Sequence, residues 1–355
     1  MKILTVVGAR PQFIKAAPLS QALRQQHNEV LVHTGQHYDT ELSASFFCEL
    51  AIPAPDYQLG VGSGPHGAQT AAMLTKLEEV IVIERPDLVL VYGDTNSTLA
   101  GTLAASKLRV PLAHVEAGVR SGNWRMPEEC NRVLTDAAAD LLLAPTQTAV
   151  DHLQRESVHG QICWVGDVML DVLLAYSQQI VESTVWERWG LVPGSYYVAT
   201  VHRAENTDDP LRLQAILQAF RALKLPLIWP LHPRTRKQIT ASGLISYQTP
   251  GWIAPVGYLD MLALVKGARC LLTDSGGLQK EAAFLGTPCV TLREETEWPE
   301  TIELGWNRLS GVVTDQIVAA VSHANQNGRQ LHQLFGGGQA AQRIVEAITS
   351  LQSKK

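Results

Sequence analysis

Long apolar runs, abundant cysteine and an excess of positive charge are all missing from this sequence. No window approaches the roughly 18 apolar residues of a membrane-spanning helix, and the opening MKILTVVGARP lacks the longer apolar stretch of a signal peptide. The net formal charge is −5, which argues against a nucleic-acid surface or a basic membrane patch. We therefore expect a cytoplasmic protein with neither nucleic acid nor membrane as its partner.

Signatures of disulfides, metals and dinucleotides are missing as well. The cysteines form no CxxC pair and are predicted to be free thiols: Cys48, Cys130, Cys163, Cys270 and Cys289. There is no HExxH, DxD or EF-hand spacing, and the candidate histidine ligands, His114, His202 and His232, belong to different predicted strands. The first turn, residues 8–12, reads GARPQ and lacks the GxGxxG of a dinucleotide site. We expect no metal and no cofactor.

Short apolar runs alternate with amphipathic stretches along the 355 residues, of which 46% are hydrophobic. Continuous apolar strands between helices are typical of a parallel sheet covered on both faces. The predicted strands are Ile3–Val7, Val30–His33, Leu88–Val91, Leu112–Val115, Leu141–Ala144, Ile162–Val165, Tyr197–Val201, Leu227–Pro230, Cys270–Thr273 and Pro288–Leu292. The predicted helices include Pro11–Gln26, Gly67–Glu84, Ser97–Leu108, Pro127–Ala138, Asp167–Val181, Asp209–Leu223, Pro233–Ala241, Tyr258–Lys266, Gly277–Leu285 and Gln339–Leu351.

The alternation weakens between residues 168 and 195 and then restarts, which indicates two domains. The sequence predicts an α/β fold class with two Rossmann-like, doubly wound domains facing each other across a cleft. We place the first domain at residues 1–170, the second at 171–335, and a terminal helix in 336–355. Ligands of such sheets bind at the carboxyl ends of the strands, so candidate functional residues are sought just after strands.

Three carboxylates follow predicted strands or open a helix in the first domain. Asp94 and Glu116 stand at the carboxyl ends of consecutive strands, and Glu128 lies in the first turn of the next helix. Such a cluster can push one pKa up while another group stays ionised, as acid–base catalysis requires. The alternatives are that Asp94 only caps the following helix and that Glu128 only suits the helix dipole.

An anion site is predicted where a strand runs into a helix at Ser275-Gly276-Gly277. Glycines let the backbone approach a diphosphate, and free N–H groups with partial positive charge lie at the helix start. Glu281, one turn further, can accept a bond from a ribose hydroxyl; the alternative for the whole turn is a helix cap with glycines for packing. Arg10 and Lys15, in and after the first turn, are candidate partners of the anion.

Basic and histidine side chains also follow strands of the second domain. His202 ends its first strand and is predicted either to exchange protons or to bond a phosphate, with a purely structural role as the alternative. The segment His232-Pro233-Arg234 follows the next strand and supplies further candidates for substrate contact.

Taken together, these segments resemble the non-hydrolysing UDP-N-acetylglucosamine 2-epimerases. The matching stretches keep their order along the chain: GARPQFIKAAPL (8–19), YGDTNSTLAG (92–101), HVEAGVRSG (114–122), MPEECNR (126–132), TVHRAEN (200–206), LHPRTR (231–236), TDSGGLQKEA (273–282) and GGGQAAQRI (336–344). The resemblance implies a glycosyltransferase-B-like fold, UDP bound mainly by the second domain, and a terminal helix that packs back on the first. The partner that the resemblance implies is a UDP-sugar substrate, and we expect the chain to form a homodimer.

The resemblance also assigns roles by residue. It carries catalytic roles onto Asp94, Glu116, Glu128 and His202, and it carries substrate contacts onto Arg10, Lys15, Ser275, Gly276, Gly277 and Glu281. The implied reaction inverts C2 of UDP-N-acetylglucosamine to give UDP-N-acetylmannosamine, through loss and return of UDP and a 2-acetamidoglucal, for surface polysaccharide precursors. The enzyme class is therefore an isomerase.

Two departures bear on the sugar. Members specific for N-acetylglucosamine typically read GDTTTT where this chain has GDTNST (93–98), and they often have Arg where Trp298 stands. Four segments are most similar to a subgroup acting on UDP-2,3-diacetamido-2,3-dideoxyglucuronate: HTGQHYD (33–39), GDTNST (93–98), TEW (296–298) and DSGGLQKEA (274–282). That sugar, a UDP-sugar glycosyltransferase, a hydrolysing relative and a non-catalytic nucleotide-sugar sensor are the alternatives.

Overall fold

The computed structural model describes residues 1–36, 46–324, 328 and 330–352. The last part of the stretch at 33–39, residues 37–39, lies outside the described residues. Contacts divide the chain into two units, one formed by Met1–Ala175 with His332–Lys355 and the other by Tyr176–Leu331. Among the described residues, no helix is both long and apolar enough to span a membrane.

The first unit is built on a parallel sheet in the order β3-β2-β1-β4-β5-β6-β7. Strands β4, β5 and β6 are buried along their whole length, as expected for apolar runs covered by helices on both faces. The order places β1 and β4 side by side at the switch point of a doubly wound sheet. The strands are β1 Lys2–Val7, β2 Asn28–His33, β3 Tyr57–Gln58, β4 Leu88–Tyr92, β5 Leu112–Val115, β6 Leu141–Ala144 and β7 Gln161–Trp164.

Helices of this unit pack on the sheet through a core of apolar side chains such as Val6, Met73 and Leu142. They span Arg10–Leu23, His66–Glu84, Asn96–Leu108, Pro127–Ala138, Gln147–Arg155, Val168–Ala175 and Ala340–Gln352. The last of these contacts the helices Arg10–Leu23 and Val168–Ala175. Asp171 accepts hydrogen bonds from the backbone N–H groups of Ala340 and Ala341, at 3.1 and 2.7 Å, and so caps it.

The second unit repeats the plan, with a parallel sheet in the order β10-β9-β8-β11-β12-β13. Its core includes Trp229, Leu272 and Val290. The strands are β8 Tyr197–Thr200, β9 Leu227–Pro230, β10 Trp252–Ile253, β11 Cys270–Thr273, β12 Cys289–Thr291 and β13 Asn307–Leu309. The helices are Ser177–Val181, Val185–Arg188, Ala204–Thr207, Pro210–Ala222, Pro233–Ala241, Tyr258–Gly267, Gly276–Phe284, Pro299–Glu303 and Thr314–Ser322.

These two sheets confirm the predicted α/β class with two Rossmann-like domains. The single helix predicted at Asp167–Val181 was wrong: it is two helices, ending at Ala175 and resuming at Ser177. Tyr176 interrupts them with φ −102° and ψ 11°, outside the α-helical region. The contact-based division of the chain falls at the same place, between Ala175 and Tyr176.

Candidate functional site

The turn after β4 places Asp94 at the carboxyl edge of the first sheet. Gly93 takes a positive φ of 59°, and its N–H donates to the carbonyl of Val115 at 2.9 Å, which ties this turn to β5. The following helix is capped by Thr95, whose hydroxyl accepts from the N–H of Thr98. The helix cap is therefore Thr95, and the alternative role of Asp94 as the cap is not the one observed.

The turn after β5 carries Glu116, whose partner is Lys15 of the helix Arg10–Leu23. Their Nζ and Oε1 atoms are 2.7 Å apart, and the two side chains are only 8% and 11% exposed. A methyl group at Gly93 would lie 3.0 Å from that Nζ, so the pair packs closely against this turn. Glu116 also has a positive φ of 72°, an uncommon conformation for a residue with a side chain, held at a candidate site.

Asp94 is held by residues of the helix Pro127–Ala138. Arg132 forms a short ion pair with the Asp94 carboxylate and a second one, at 2.9 Å, with buried Glu129. The side-chain amide of Asn131 donates to the carbonyl of Asp94 at 2.9 Å. Glu128 is half-buried and lies in the first turn of this helix, four residues before Arg132.

Glu129 organises the loop before that helix. Its carboxylate accepts from the N–H groups of Ser121 and Gly122, both at 2.9 Å, and from the Ser121 hydroxyl. Burial alone would raise the pKa of Glu129, but these hydrogen bonds and the charge of Arg132 together lower it. Sequence reasoning missed both Glu129 and Arg132, although both belong to the stretch MPEECNR.

A buried group beneath these turns was also missed. Asp136 pairs with His114 at 2.6 Å and with Arg120 at 2.7 Å, and it accepts from the N–H of Gly118 at 2.9 Å. Burial alone would raise the pKa of Asp136, but the charges and hydrogen bonds of His114 and Arg120, with the Gly118 bond, lower it. His114 was considered only as a metal ligand, because nothing in the sequence linked it to a residue on another element.

A relay of side-chain amides reaches the Asp94 turn from the helix His66–Glu84. Gln69 donates to the carbonyl of Gly62 at 2.7 Å, which turns its oxygen toward the amide of Asn96 at 2.8 Å. The oxygen of Asn96 in turn faces the amide of Asn131 at 3.3 Å. Asn96, one of the departures noted in the sequence, therefore helps to hold the turn that carries Asp94.

Arg10 opens the helix that carries Lys15, and its side chain is exposed. Its guanidinium lies over the ring of Phe46, 4.6 Å from the centroid, a cation–π contact that restrains it. Lys15 is paired with Glu116, and its contact with the diphosphate stays a prediction.

In the second unit, the residue before the predicted anion turn is a buried hub. Asp274 accepts from the N–H groups of His202 at 3.1 Å and Arg203 at 3.0 Å, and from the amide of Asn206 at 3.2 Å. The Nδ1 atom of His202 lies 3.3 Å from the same carboxylate, while its side chain is 46% exposed. This pairing orients an accessible imidazole, which suits proton exchange or phosphate binding.

The predicted anion turn opens the helix Gly276–Phe284. Among the residues that the structure describes, the hydroxyl of Ser275 makes no capping bond and no atom lies within 4 Å of a methyl group placed at Gly277. The backbone at Gly277 is therefore open to a ligand at a helix start. Glu281 is buried and accepts a 2.6 Å bond from the hydroxyl of Tyr258, so one of its oxygens already has a partner.

Charged residues missed by sequence reasoning lie behind this turn. Fully buried Arg293 binds Glu297 through two bonds of 2.8 and 3.1 Å, and Arg203 reaches Glu297 at 3.5 Å. Burial alone would lower the pKa of Arg293, but Glu297 and the neighbouring carboxylates raise it. Trp298 is buried, with the Nζ of Lys280 4.0 Å from its ring centroid.

The segment after β9 forms a separate group. His232 caps the helix Pro233–Ala241, its Nδ1 accepting from the N–H of Arg234 at 3.2 Å. Arg234 forms an exposed pair with Asp208 at 2.8 Å. Both residues stay predictions as substrate contacts. Within the part of the chain that the structure describes, no group of three or more His, Cys, Asp or Glu is arranged to hold a metal ion.

Comparison with known proteins gives a consistent family. A family model described as UDP-N-acetylglucosamine 2-epimerase matches residues 21–349. The chain is 50% identical, over 99% of its length and 100% of the relative's, to the UDP-2,3-diacetamido-2,3-dideoxy-D-glucuronate 2-epimerase of Pseudomonas aeruginosa. It is 49% identical, with 99% and 100% covered, to a UDP-N-acetylglucosamine 2-epimerase homolog of Methanococcus maripaludis.

A solved structure is similar across the whole chain. It is the UDP-GlcNAc 2-epimerase of Methanocaldococcus jannaschii in complex with UDP-GlcNAc and UDP, at TM-score 0.92 and 40% identity, with 99% of this chain and 100% of that one covered. The fold and the match define an isomerase of the glycosyltransferase-B-like α/β class. The chain belongs to the UDP-N-acetylglucosamine 2-epimerase family.

Proposed function

We propose that the chain inverts C2 of UDP-N-acetylglucosamine to give UDP-N-acetylmannosamine by losing and regaining UDP. The hydrogen on C2 is not acidic, because no carbonyl is adjacent to it. Its removal as a proton is coupled to breaking the bond between C1 and the UDP oxygen, which leaves a 2-acetamidoglucal and UDP. A proton then adds to the other face of C2 while the UDP oxygen bonds C1 again.

The observation that carries this proposal is the arrangement at the carboxyl edge of the first sheet. Asp94 is clamped by Arg132, and Glu116 is paired with Lys15 beside the same turn. Two faces of one carbon require more than one proton carrier, and a set of restrained carboxylates supplies them. We assign Asp94 and Glu128 as the acid–base pair, while Glu116 stabilises positive charge near the ring or relays a proton.

We assign UDP to the carboxyl edge of the second sheet. The helix start at Gly276-Gly277 offers backbone N–H groups to the diphosphate, the Ser275 hydroxyl makes no capping bond and adds a donor, and we assign Glu281 to a ribose hydroxyl. His202, oriented by Asp274, contacts the leaving phosphate or exchanges a proton with it. Arg10 and Lys15 add positive charge, and His232 and Arg234 are further candidate contacts.

Turnover in deuterated water tests the reaction. We expect deuterium at C2 of the UDP-sugar recovered, followed by proton NMR, with little free sugar. Accumulation of free N-acetylmannosamine and UDP would instead identify a hydrolysing enzyme, and activity only with an added sugar acceptor would identify a glycosyltransferase. Binding of UDP-sugar with neither exchange nor turnover would identify a sensor.

Matched variants test the residue roles. Glu128→Gln keeps the shape of the side chain but removes the proton carrier, so we expect epimerisation to be abolished while UDP binding, measured by calorimetry, is kept. Asp94→Asn is expected to behave in the same way. Normal turnover by Glu128→Gln would show that the acid–base assignment is wrong.

A second candidate substrate is UDP-2,3-diacetamido-2,3-dideoxyglucuronate. It is favoured by the 50% identity to the Pseudomonas aeruginosa enzyme named for it, against 41% to the UDP-N-acetylglucosamine 2-epimerase of Methanocaldococcus jannaschii. Trp298 and Asn96 differ from the residues typical of members specific for UDP-N-acetylglucosamine, and they favour the same substrate. Parallel kcat/KM measurements on both sugars decide between them. We further propose a cytoplasmic homodimer that supplies precursors of surface polysaccharide.

A further inference from the structure

His114 is fully buried on β5, and each of its ring nitrogens faces a hydrogen-bond acceptor. Nδ1 lies 2.6 Å from a carboxylate oxygen of Asp136, and Nε2 lies 2.7 Å from the backbone carbonyl oxygen of Gly93. A carbonyl oxygen has no hydrogen to donate, so the bond to Gly93 requires a hydrogen on Nε2.

The bond to Asp136 requires a hydrogen on Nδ1 for a related reason. The carboxylate of Asp136 also accepts from the N–H of Gly118 at 2.9 Å and from Arg120 at 2.7 Å. A carboxylate surrounded by donors, one of them a guanidinium, is held in its ionised form and has no proton to give to the ring. Both nitrogens of His114 therefore carry hydrogen.

We infer that His114 is held as a buried imidazolium and serves as a positioning residue that fixes the two turns bearing Asp94 and Glu116. Through Nε2 it pins the carbonyl of Gly93, the residue before Asp94. Through Asp136 it is connected to the N–H of Gly118, two residues after Glu116. The inference rests on the proposed function, because it takes these two carboxylates as the groups that act on the sugar.

The geometry of the turns shows why such a restraint is needed. Gly93 and Gly118 both have positive φ, at 59° and 79°, and Glu116, in the same turn as Gly118, has φ 72°. Sheet hydrogen bonds alone do not fix residues in this conformation, and a neutral ring with one bare nitrogen would leave either the Gly93 carbonyl or the Asp136 carboxylate without the donor that His114 supplies. A misplacement of about 1 Å at a reacting group can cost about 100-fold in rate.

The protonation state has a direct spectroscopic test. In the full-length enzyme labelled with nitrogen-15 histidine, the His114 ring is assigned by comparison with the His114→Gln variant. We expect both of its ring nitrogens to show the shift and the proton coupling of N–H groups. One nitrogen with the shift of an unprotonated ring nitrogen would overturn the inference.

The positioning role has a kinetic test. The amide end of Gln donates and its oxygen only accepts, so His114→Gln cannot satisfy both Asp136 and Gly93. We expect kcat to fall about 100-fold while KM and the affinity for UDP stay unchanged, and Asp136→Asn to do the same. The matched control is His27→Gln, which removes a 3.0 Å bond to Thr349 at the opposite, amino-terminal end of β2 and should leave kcat unchanged.

The outcomes separate this inference from the proposed function. If the parent enzyme places no deuterium at C2 of the UDP-sugar, the proposed function fails whatever His114 does. If Asp94→Asn and Glu116→Gln epimerise at the normal rate, the assignment of these two carboxylates fails while the proposed reaction stands. If those variants are inactive but His114→Gln and Asp136→Asn keep a normal kcat, the positioning role is refuted. A variant whose melting temperature falls while its kcat per folded molecule is unchanged would also refute the positioning role.

Discussion

Replacing Lys15 by Met tests how much the Lys15–Glu116 pair contributes to the stability of the first unit. At 2.7 Å and an effective dielectric of about 20, the gross attraction is about 6 kcal/mol, most of which offsets the desolvation of the two charges. Met keeps the length of the side chain but leaves Glu116 buried without its cation. Removal of one partner of a buried pair costs about 3–5 kcal/mol, and exposures of 8% and 11% leave little solvent to reduce that cost.

Calorimetry of the full chain measures the effect. For a unit of this size, the loss corresponds to a fall of roughly 6–20 °C in the melting temperature of the transition assigned to the first unit. The double variant Lys15→Met, Glu116→Gln removes both charges and should recover most of the loss, since no buried charge remains unpaired. Losses that simply add in the double variant, or a single-variant loss below about 1 kcal/mol, would refute the buried-pair reasoning.

Further predictions concern residues around the two half-sites and the terminal helix. The pKa of Glu129 is lowered from its ordinary value of 4.5. Its contribution to stability is therefore present above pH 4.5 and is lost as the pH falls through the pKa of the folded state. Glu129→Gln should flatten this part of an acid-unfolding curve. Asp171→Ala leaves the N–H groups of Ala340 and Ala341 uncapped, which should cost about 1–2 kcal/mol and speed hydrogen exchange in the helix Ala340–Gln352. Asp274→Asn should weaken UDP binding, measured by calorimetry, because the turn before Ser275 loses the carboxylate that organises it. Arg234→Lys alters only an exposed ion pair, so the melting temperature should change little.

Strands with a clear apolar run could be predicted from the sequence almost to the residue. The strands at Leu112–Val115 and Leu141–Ala144 match their predictions because polar or turn residues bound a short buried run. The strands Tyr57–Gln58 and Trp252–Ile253 were missed, since two residues at a sheet edge show no period. The helix Gln147–Arg155 was also missed, although Thr146 caps it.

Positions of candidate residues followed from strand ends, but their partners did not. Asp94 and Glu116 end consecutive parallel strands, so a shared edge could be predicted. Lys15 and Glu116 are 101 residues apart, and their contact depends on how a helix lies over the sheet, which no local pattern encodes. For the same reason Asp136 and Asp274 were overlooked: each acts through hydrogen bonds to other elements.

The charges at the edge of the first sheet are paired in a way that limits which of them can move. Arg132 is shared between Asp94 and Glu129, and Arg120 between Asp136 and Glu156. Groups that are already oriented need no reorganisation when charge develops in the sugar, and that lowers the barrier. If this preorganisation is what the network supplies, Arg132→Lys, which keeps the charge but loses the fork that spans two carboxylates, should lower kcat far more than it lowers stability.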